Sequence, residues 1–501
     1  MKVVKSLLLG SAAGFAVAGA HAADLPVKAK PVEYVKVCSL YGAGYYYIPG
    51  TDTCIKVGGY MRMEYQWNAS GGFAFLGSAL GVGAGLDDRK DTPNLTSRAR
   101  ASMSFDVRTQ TEYGTLRSYI RGTAQVNTPT DPAGGAPFYD RGFVQFAGFT
   151  AGKTQSYFDS PFAASGLFSY YAPFFEHTTI AQGINVLAYT ATLPNGFSAT
   201  ISLEDTSNNG RRHPVVNASI ANQFGIGAAT PVTSAAGQRL PDVVANLRVD
   251  QTWGSAQIMA ALHDASASYY SGTGFGCSGP AITAGTAPLV SCGHPSDIFG
   301  WAVGAGALIA VPWFPGDQFG IGGTYAVGAT GYTTYFFNPG TVYSGNTVGF
   351  GFGTDGVYVN GSQVELTTSW QVQAGYQHRW TPTLATSIYG GYLAVQYNGT
   401  AQGYLCGTAA IAGANLNAGT TVLTNNCSPN FAIWEIGSRT QWNPVPNLDV
   451  GIDIMYSKFV TGFGGSTLLL PAVGARPTGI YTATDQDVWS GIFRMQRNFW
   501  P

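Results

Sequence analysis

Residues Thr96 to Gln125 read TSRARASMSFDVRTQTEYGTLRSYIRGTAQ, and the pattern of this stretch indicates how the whole chain folds. From Arg98 to Arg108 every second residue is polar or charged, and every intervening residue is apolar. This period of two is typical of a β-strand with one wet face and one apolar face. The tetrapeptide Thr111–Gly114 predicts a tight turn, after which the alternation resumes, with one exception, through a second strand.

The two predicted strands place five arginines on one surface, namely Arg98, Arg100, Arg108, Arg117 and Arg121. Neighbouring guanidinium groups repel one another, so this surface needs water, counter-charges or a passing anion. A sheet that is apolar on one face and cationic on the other fits the wall of a water-filled membrane barrel. A soluble sheet with a solvated charged face would show the same alternation, so the hairpin alone leaves both interpretations open.

The composition of the chain favours the membrane interpretation. Of its 501 residues, 45% are apolar, 13% are aromatic and only 11% are charged, whereas soluble domains carry about 25% charged residues. The formal net charge of −1 argues against a nucleic-acid partner. A charge-poor chain that is rich in aromatic residues and glycine suits a β-protein in contact with lipid.

The first 22 residues have the features of a signal peptide. Lys2 and Lys5 precede the uncharged apolar run Leu7–Ala20, and Ala20-His21-Ala22 is a cleavage sequence. The run is shorter than the ~20 residues of a membrane-spanning helix, which makes a retained anchor the weaker alternative. We therefore predict export, with residues 23–501 forming one barrel domain.

Six cysteines fall into three local couples: Cys38 with Cys54, Cys277 with Cys292, and Cys406 with Cys427. An even number in an exported chain favours disulfides, although six cysteines allow many other pairings. A zinc site is the alternative, but the chain has neither a C-x-x-C motif nor a neighbouring histidine pair. We expect disulfides and no metal.

The chain contains sixteen candidate strands, which are separated alternately by short turns and long loops. The predicted short turns include Leu193–Gly196, Trp253–Ser255, Pro312–Gly316, Thr381–Thr383 and Asn443–Asn447. The predicted long loops include Ser207–Pro241, Ser268–Asp297, Gly331–Gly361, Asn398–Pro429 and Gly462–Asp485. Turns on one rim and loops on the other are typical of an up-and-down membrane barrel.

Three longer stretches carry a resemblance to a known family: Tyr41–Tyr60, Asp140–Ser156 and the closing Phe493–Pro501. Through them, and over essentially the whole precursor, the chain resembles the general porins of alphaproteobacteria, such as the major porins of Brucella. The resemblance implies an all-β, sixteen-stranded antiparallel transmembrane β-barrel. It also implies a loop after the fifth strand, here about 157–179, that folds into the lumen.

The same resemblance implies a function. Such proteins are homotrimers in the Gram-negative outer membrane, surrounded by lipids and lipopolysaccharide, and they let small hydrophilic solutes and ions diffuse passively. We therefore expect a porin, with no enzymatic activity and no cofactor. A solute-specific channel for sugars, phosphate or dicarboxylates is the alternative, but Tyr119, Phe143 and Tyr157 are too few to indicate an aromatic slide. A secreted adhesin or barrel enzyme is a third interpretation.

In this family the narrowest point of the pore sets acidic groups of the inward loop against basic groups of the wall. The matching wall residues are Arg62, Arg98, Arg100, Arg108, Arg117, Arg121 and Arg141, with Lys56 and Lys153 as further possibilities. The loop acids are Asp159 and Glu176. Opposed charges create a transverse field that orders water and filters solutes by size and charge. The excess of basic residues suggests an anion preference.

Two further features of the sequence concern its loops and its tenth strand. The sequence Arg211-Arg212-His213 is a small basic spot in a long loop, and we expect it to be solvated. The tenth strand is apolar on both faces, and the sequence does not say whether its inner face is covered.

Overall fold

A computed structural model describes residues 36–68, 95–128, 135, 137–160, 162, 164–171, 173, 175, 178–179, 183–207, 211–219, 233–270, 292–334, 340–406, 421–422, 428–470 and 478–499. The predicted signal peptide lies outside the described residues. No helix within the ranges above is long and apolar enough to cross a membrane.

The described residues form sixteen long strands in one sheet. They are β1 Thr53–Trp67, β2 Leu95–Thr111, β3 Gly114–Thr128, β4 Phe138–Phe146, β5 Phe149–Thr154, β6 Ile184–Thr192, β7 Phe197–Asp205, β8 Asp242–Gln251, β9 Gly254–Asp264, β10 Phe299–Ala310, β11 Gln318–Val327, β12 Thr368–Thr381, β13 Leu384–Gln396, β14 Phe431–Trp442, β15 Leu448–Val460 and β16 Gln486–Phe499. Each strand pairs antiparallel with the next in sequence, as β2 does with β3.

The sheet closes on itself because β1 pairs with β16 as well as with β2. Tyr65 of β1 lies opposite Phe493 of β16 and opposite Ser97 of β2. Closure removes the free edges of the sheet, whose unpaired backbone groups would be costly in lipid. The structure therefore confirms the predicted sixteen-stranded antiparallel barrel. The predicted short turns also join neighbouring strands at one rim, here called the turn rim, and the long loops define the opposite loop rim.

The period of two separates the faces of the wall. Large apolar side chains such as Met103 and Ile120 are 50% and 49% exposed on the outer face. The side chains that alternate with these apolar ones, including Arg100 and Arg121, point into the barrel. The strand register places them on the same face as the side chains that contact the inward loop. The inner face is thus polar and the outer face apolar, as in membrane barrels.

The segment before β1 is attached to the wall. Tyr46–Tyr47 pairs with Cys54 and Ile55 of β1, and a disulfide joins Cys38 to Cys54. This bond confirms the first predicted pairing. Cys292 and Cys406 are also disulfide-bonded, but Cys277 and Cys427 lie outside the described residues, so their pairings remain predictions.

The structure also describes shorter elements, of which Tyr46–Tyr47 is part of the barrel sheet. They are the strands Tyr46–Tyr47, Val215–Asn217, Gly340–Ser344, Thr347–Gly351, Gly356–Tyr358, Glu365–Leu366, Thr421–Val422, Thr467–Leu470 and Gly479–Ala483, the α-helices Ala164–Leu167 and Gly399–Cys406, and the 3₁₀ helices Ser39–Tyr41 and Thr330–Tyr332. Several of them pack against the loop-rim ends of β13–β16. Together they form one apolar core, which includes Phe352, Leu393 and Phe459. The core fills part of the barrel on the loop side.

Candidate functional site

The segment between β5 and β6, here called the inward loop (155–183), lies inside the barrel. The main-chain oxygen of Tyr157 accepts from Asn246 of β8 at 2.7 Å. Farther along, the amide nitrogen of Ala164 donates to Gln373 of β12 at 3.0 Å. The oxygen of Leu167 accepts from Arg439 of β14. The loop therefore folds into the lumen, as the family resemblance implied, and it follows the inner wall from β8 to β14.

Glycines on the inner face make room for this path. A side-chain carbon added at Gly320 or Gly375 would overlap the ring of Phe168, and one added at Gly391 would overlap Phe175. Phe168 and Phe175 are 1% and 0% exposed, and burying an aromatic ring contributes about 1.5–3 kcal/mol. The same loop covers the inner face of β10, where Ala302 packs with Phe158 in a buried cluster. This contact answers the question that the apolar tenth strand left open.

The tip of the inward loop is held at β15 and β16. Asp453 accepts a hydrogen bond from the Ser169 hydroxyl at 3.0 Å and another from the Tyr170 amide at 2.6 Å. The Tyr170 hydroxyl donates to Asp449 at 2.6 Å. Burial, followed by the charge of Asp449, raises the pKa of Tyr170, so its phenol stays protonated and keeps donating. The guanidinium of Arg494 lies 4.0 Å from the Tyr170 ring.

One side of the inner wall is covered and the other is accessible. Beneath the loop, Gln373, Ser387, Arg439 and Asp453 are at most 6% exposed. On β2 and β3, by contrast, the side chains of Arg108, Arg117 and Arg121 are 27% exposed. The passage therefore runs off-centre, along the arginine-bearing wall.

Toward the loop rim of that wall lies the Glu64 cluster, defined as Arg62, Arg98, Arg100, Arg494 and Glu64. Arg494 binds Glu64 directly, with its Nε 2.7 Å from Oε1. The Nη1 atoms of Arg62 and Arg98 are each 3.7 Å from a Glu64 oxygen. Arg100 lies opposite Arg62 in the register, and the described contacts give it an amide partner, Gln125, in place of a carboxylate.

Nearer the turn rim, Asp106 binds two arginines. Its oxygens accept from Arg108 at 2.9–3.0 Å and from Arg117 at 2.8–3.0 Å. The guanidinium of Arg117 also lies over the stacked rings of Tyr119 and Phe143, 5.4 and 5.3 Å from their centroids. This pair of arginines retains one positive charge after pairing with Asp106.

The remaining predicted bases differ in their surroundings. Arg121 pairs with Asp140 at 2.7 Å, whereas Arg141 is 7% exposed and donates to main-chain oxygens of Asp140 and Thr179. Lys56 points inward, where its Nζ lies 5.8 Å from the Tyr45 ring. Lys153 lies on the outer side instead, beside the exposed Tyr139, so the possibility that it lines the pore was wrong.

Asp159 differs from the expectation that it faces the basic wall across open water. Its side chain is fully buried and forms an ion pair with Arg211, whose side chain is also fully buried. Asp159 also accepts from the Thr179 amide and hydroxyl at 2.7 and 2.6 Å. The expectation that Arg211 is solvated was therefore wrong. Glu176, the second predicted loop acid, lies outside the described residues.

Three residues that bind the inward loop were not among the site residues predicted from the sequence. Arg494 alternates in phase with the inward residues of β16, and this phase was the available signal. Arg439 binds the loop oxygen of Leu167, and its alternation in β14 was similarly visible. Arg211 belongs to a long irregular loop, where no period marks the inward side chains.

Comparison with known proteins places this geometry in a family. A family model described as "Porin subfamily" matches residues 24–492. Porin Omp2b of Brucella suis is 33% identical over 266 residues, which are 50% of this chain and 64% of that protein. Porin Omp2a of Brucella ovis is 35% identical over 225 residues, which are 40% of this chain and 59% of that protein. Each alignment thus spans less than two thirds of the curated relative.

A solved structure shares the fold. The outer membrane channel DcaP of Acinetobacter baumannii superposes with a TM-score of 0.55 over 90% of this chain and 99% of that chain, at 14% identity. At this identity the likeness shows the architecture alone. The family match, the closed barrel and its apolar outer face together confirm the resemblance noted above. The chain therefore belongs to the porin subfamily, and it is a multi-strand β-barrel protein of the outer membrane.

Proposed function

We propose that this protein is a water-filled channel for the passive diffusion of small hydrophilic solutes and ions, with a preference for anions. The observation that carries the proposal is the accessible arginine-bearing wall opposite a loop-covered wall. Family membership supports a channel and gives no support to an enzymatic role. We propose that the predicted wall arginines, except the buried Arg141, line the narrow passage.

The charge of this wall supports the anion preference. On β1–β4 and β16, eight inward guanidiniums and Lys56 accompany three carboxylates, Glu64, Asp106 and Asp140, which leaves six positive charges. Asp159 adds no free negative charge, because Arg211 neutralises it. Positive potential in a narrow aqueous passage concentrates anions and excludes cations.

The reversal potential in a potassium chloride gradient tests this proposal. We expect chloride to be severalfold more permeant than potassium, and Arg121→Gln to reduce that ratio because it removes one accessible charge. Arg239→Gln is the matched control, since Arg239 lies in a loop, 62% exposed and paired with Asp297. Cation preference in the unmodified channel would contradict the anion assignment, and absence of conductance steps would contradict the channel itself.

We also propose a homotrimer. The outer face of β1–β3 and β16 carries a depression of about 660 Å³ lined by small or flexible apolar residues, among them Met61, Met63, Ala99, Ala101 and Met495. Such a surface packs readily against a second copy. The rest of the apolar outer face of the barrel would contact outer-membrane lipid and lipopolysaccharide.

Chemical cross-linking in native membranes tests this assembly. We expect a band at three times the mass of one chain, and we expect Ala101→Arg to abolish it because a charge is costly in an apolar interface. Ile258→Arg is the control, because Ile258 is an outward residue of β9, 58% exposed, away from the depression. A persistent trimer in the Ala101 variant would place the interface elsewhere.

A further inference from the structure

The Glu64 cluster contains more positive charge than its structural contacts use. The cluster has four guanidiniums and one carboxylate, and among the described hydrogen bonds that carboxylate accepts only from Arg494. At 3.7 Å, the Nη1 atoms of Arg62 and Arg98 are too far from Glu64 for a good hydrogen bond. Three positive charges therefore remain after pairing.

Neighbouring amides hold these guanidiniums in place without neutralising them. The Nε of Arg62 donates to Gln496 at 2.6 Å, and the Nε of Arg98 donates to Asn127 at 2.9 Å. The Nε of Arg100 donates to Gln125, also at 2.9 Å. An amide oxygen fixes the plane of each guanidinium but leaves its charge, so donor groups remain oriented for a ligand.

The cluster lies beside the path of a permeating solute. Within the cluster, Arg494 binds Glu64 and also donates to the main-chain oxygen of Tyr170 at the tip of the inward loop. The tip of the loop and the arginine-bearing wall thus meet here. The side chains of Arg62 and Arg98 retain 16% and 17% exposure, so a small ion can reach them.

The spacing of the arginines selects the class of ligand. Arg62 and Arg100 are directly opposite in the register, which places their Cβ atoms about 5 Å apart. Arg98 is two residues along the same face from Arg100, or about 7 Å. Three donors in so small a triangle match the closely spaced oxygens of one tetrahedral ion rather than the separated ends of a dicarboxylate.

We propose that Arg62, Arg98 and Arg100 form a binding site for divalent tetrahedral oxyanions, the class that includes inorganic phosphate and sulfate. Each arginine offers hydrogen-bond donors and charge to the ion, and the net charge of the cluster favours two negative charges over one. The proposal rests on the proposed channel and deepens it. Such ions bind reversibly on their way through the lumen.

Sulfate block of chloride current in planar bilayers tests the site. We expect sulfate to lower the chloride conductance saturably, with a midpoint on the order of 1 mM. Arg100→Gln is expected to raise that midpoint about tenfold. Arg100→Lys should fall between, because it keeps the charge but loses the planar fork. Inorganic phosphate should block more strongly at about pH 8 than at about pH 5.5, where it is a monoanion, while sulfate block stays constant.

Two controls separate a local site from a generally positive lumen. Arg108→Gln removes an equal charge from the Asp106 pair nearer the turn rim, and we expect it to change the midpoint less than twofold. Gln125→Met keeps every charge but frees the Nε and Nη2 of Arg100, and we expect it to raise the midpoint severalfold. The Gln125 variant also provides a test if the Arg100 variants fail to insert.

The outcomes are distinguishable. A conducting channel that sulfate does not block would overturn the oxyanion site and leave the proposed channel intact. Equal effects of Arg100→Gln and Arg108→Gln would overturn the local site in favour of general electrostatics. Absence of any chloride conductance in the unmodified protein would overturn the proposed function itself.

Discussion

Arg211→Met is expected to lower the free energy of unfolding by about 3–5 kcal/mol, because it leaves a buried carboxylate without its cation. Arg211 and Asp159 are both fully buried. The Arg211 guanidinium also lies 4.5 Å from the Tyr332 ring and 5.6 Å from the Phe158 ring. Arg211, which lies in a loop at the loop rim, thereby connects the inward loop to the loop that carries Tyr332.

The same substitution should alter the channel. Asp159 lies in the first part of the inward loop, and its hydrogen bonds to Thr179 tie the two ends of that loop together. Without Arg211, the buried Asp159 carboxylate has no counter-charge, which favours a rearrangement of the inward loop that brings this carboxylate to water. We expect single-channel records to change from steady open levels to fluctuating sublevels.

Two variants make this prediction specific. Arg212→Met removes the neighbouring guanidinium, which donates only to the main-chain oxygen of Ala236 among its described hydrogen bonds. This substitution should lower the free energy of unfolding by about 1 kcal/mol. Arg211→Met combined with Asp159→Asn should recover much of the lost stability, as measured by denaturant titration and a double-mutant cycle. Unchanged stability and steady current in Arg211→Met would show that the pair does not hold the loop.

Asp453→Ala should release the tip of the inward loop from the wall. Asp453 is 0% exposed, and its two oxygens accept from the Ser169 hydroxyl, the Tyr170 amide and the Tyr389 hydroxyl. Alanine leaves three buried donors without an acceptor, at about 1–3 kcal/mol each. The expected local cost is therefore at least as large as the about 1.5–3 kcal/mol that burial of one aromatic ring of the loop contributes.

A released tip can move into the open passage. We expect Asp453→Ala to lower the mean single-channel conductance, to produce frequent closures, and to expose the tip to added protease. Asp449→Ala is the matched control, since that carboxylate accepts only the Tyr170 hydroxyl among the described hydrogen bonds of the tip. All three effects should be smaller in the Asp449 variant. A steady, full-size conductance in Asp453→Ala would mean that aromatic packing alone holds the loop.

Much of the fold was predictable because strand patterns are local. In β2, Arg98 and Arg100 face one way and Ala99 and Met103 the other, and a pleated strand allows no other arrangement. Turn residues then set where each strand reverses. The number of strands and the polarity of each face followed from such short-range rules, and the family resemblance added the position of the inward loop.

The state of the site was less predictable, since it depends on partners that are distant in sequence. Glu64 binds Arg494, which is 430 residues away, and only closure of the barrel brings β1 and β16 together. Asp159 had the residue type and position expected of a constriction acid. The sequence could not show that Arg211, 52 residues later, would neutralise it.

By itself, the sequence determined that the strands of this chain are apolar outside and cationic inside, and that they form a barrel, because alternation and turn chemistry act between near neighbours. Only the tertiary structure decided which inner residues remain accessible. The inward loop covers one side of the wall because glycines there admit its aromatic rings, and the arginines opposite keep their contact with water. Which charges survive pairing is a property of the closed register and the packed loops, and no single stretch of sequence encodes it.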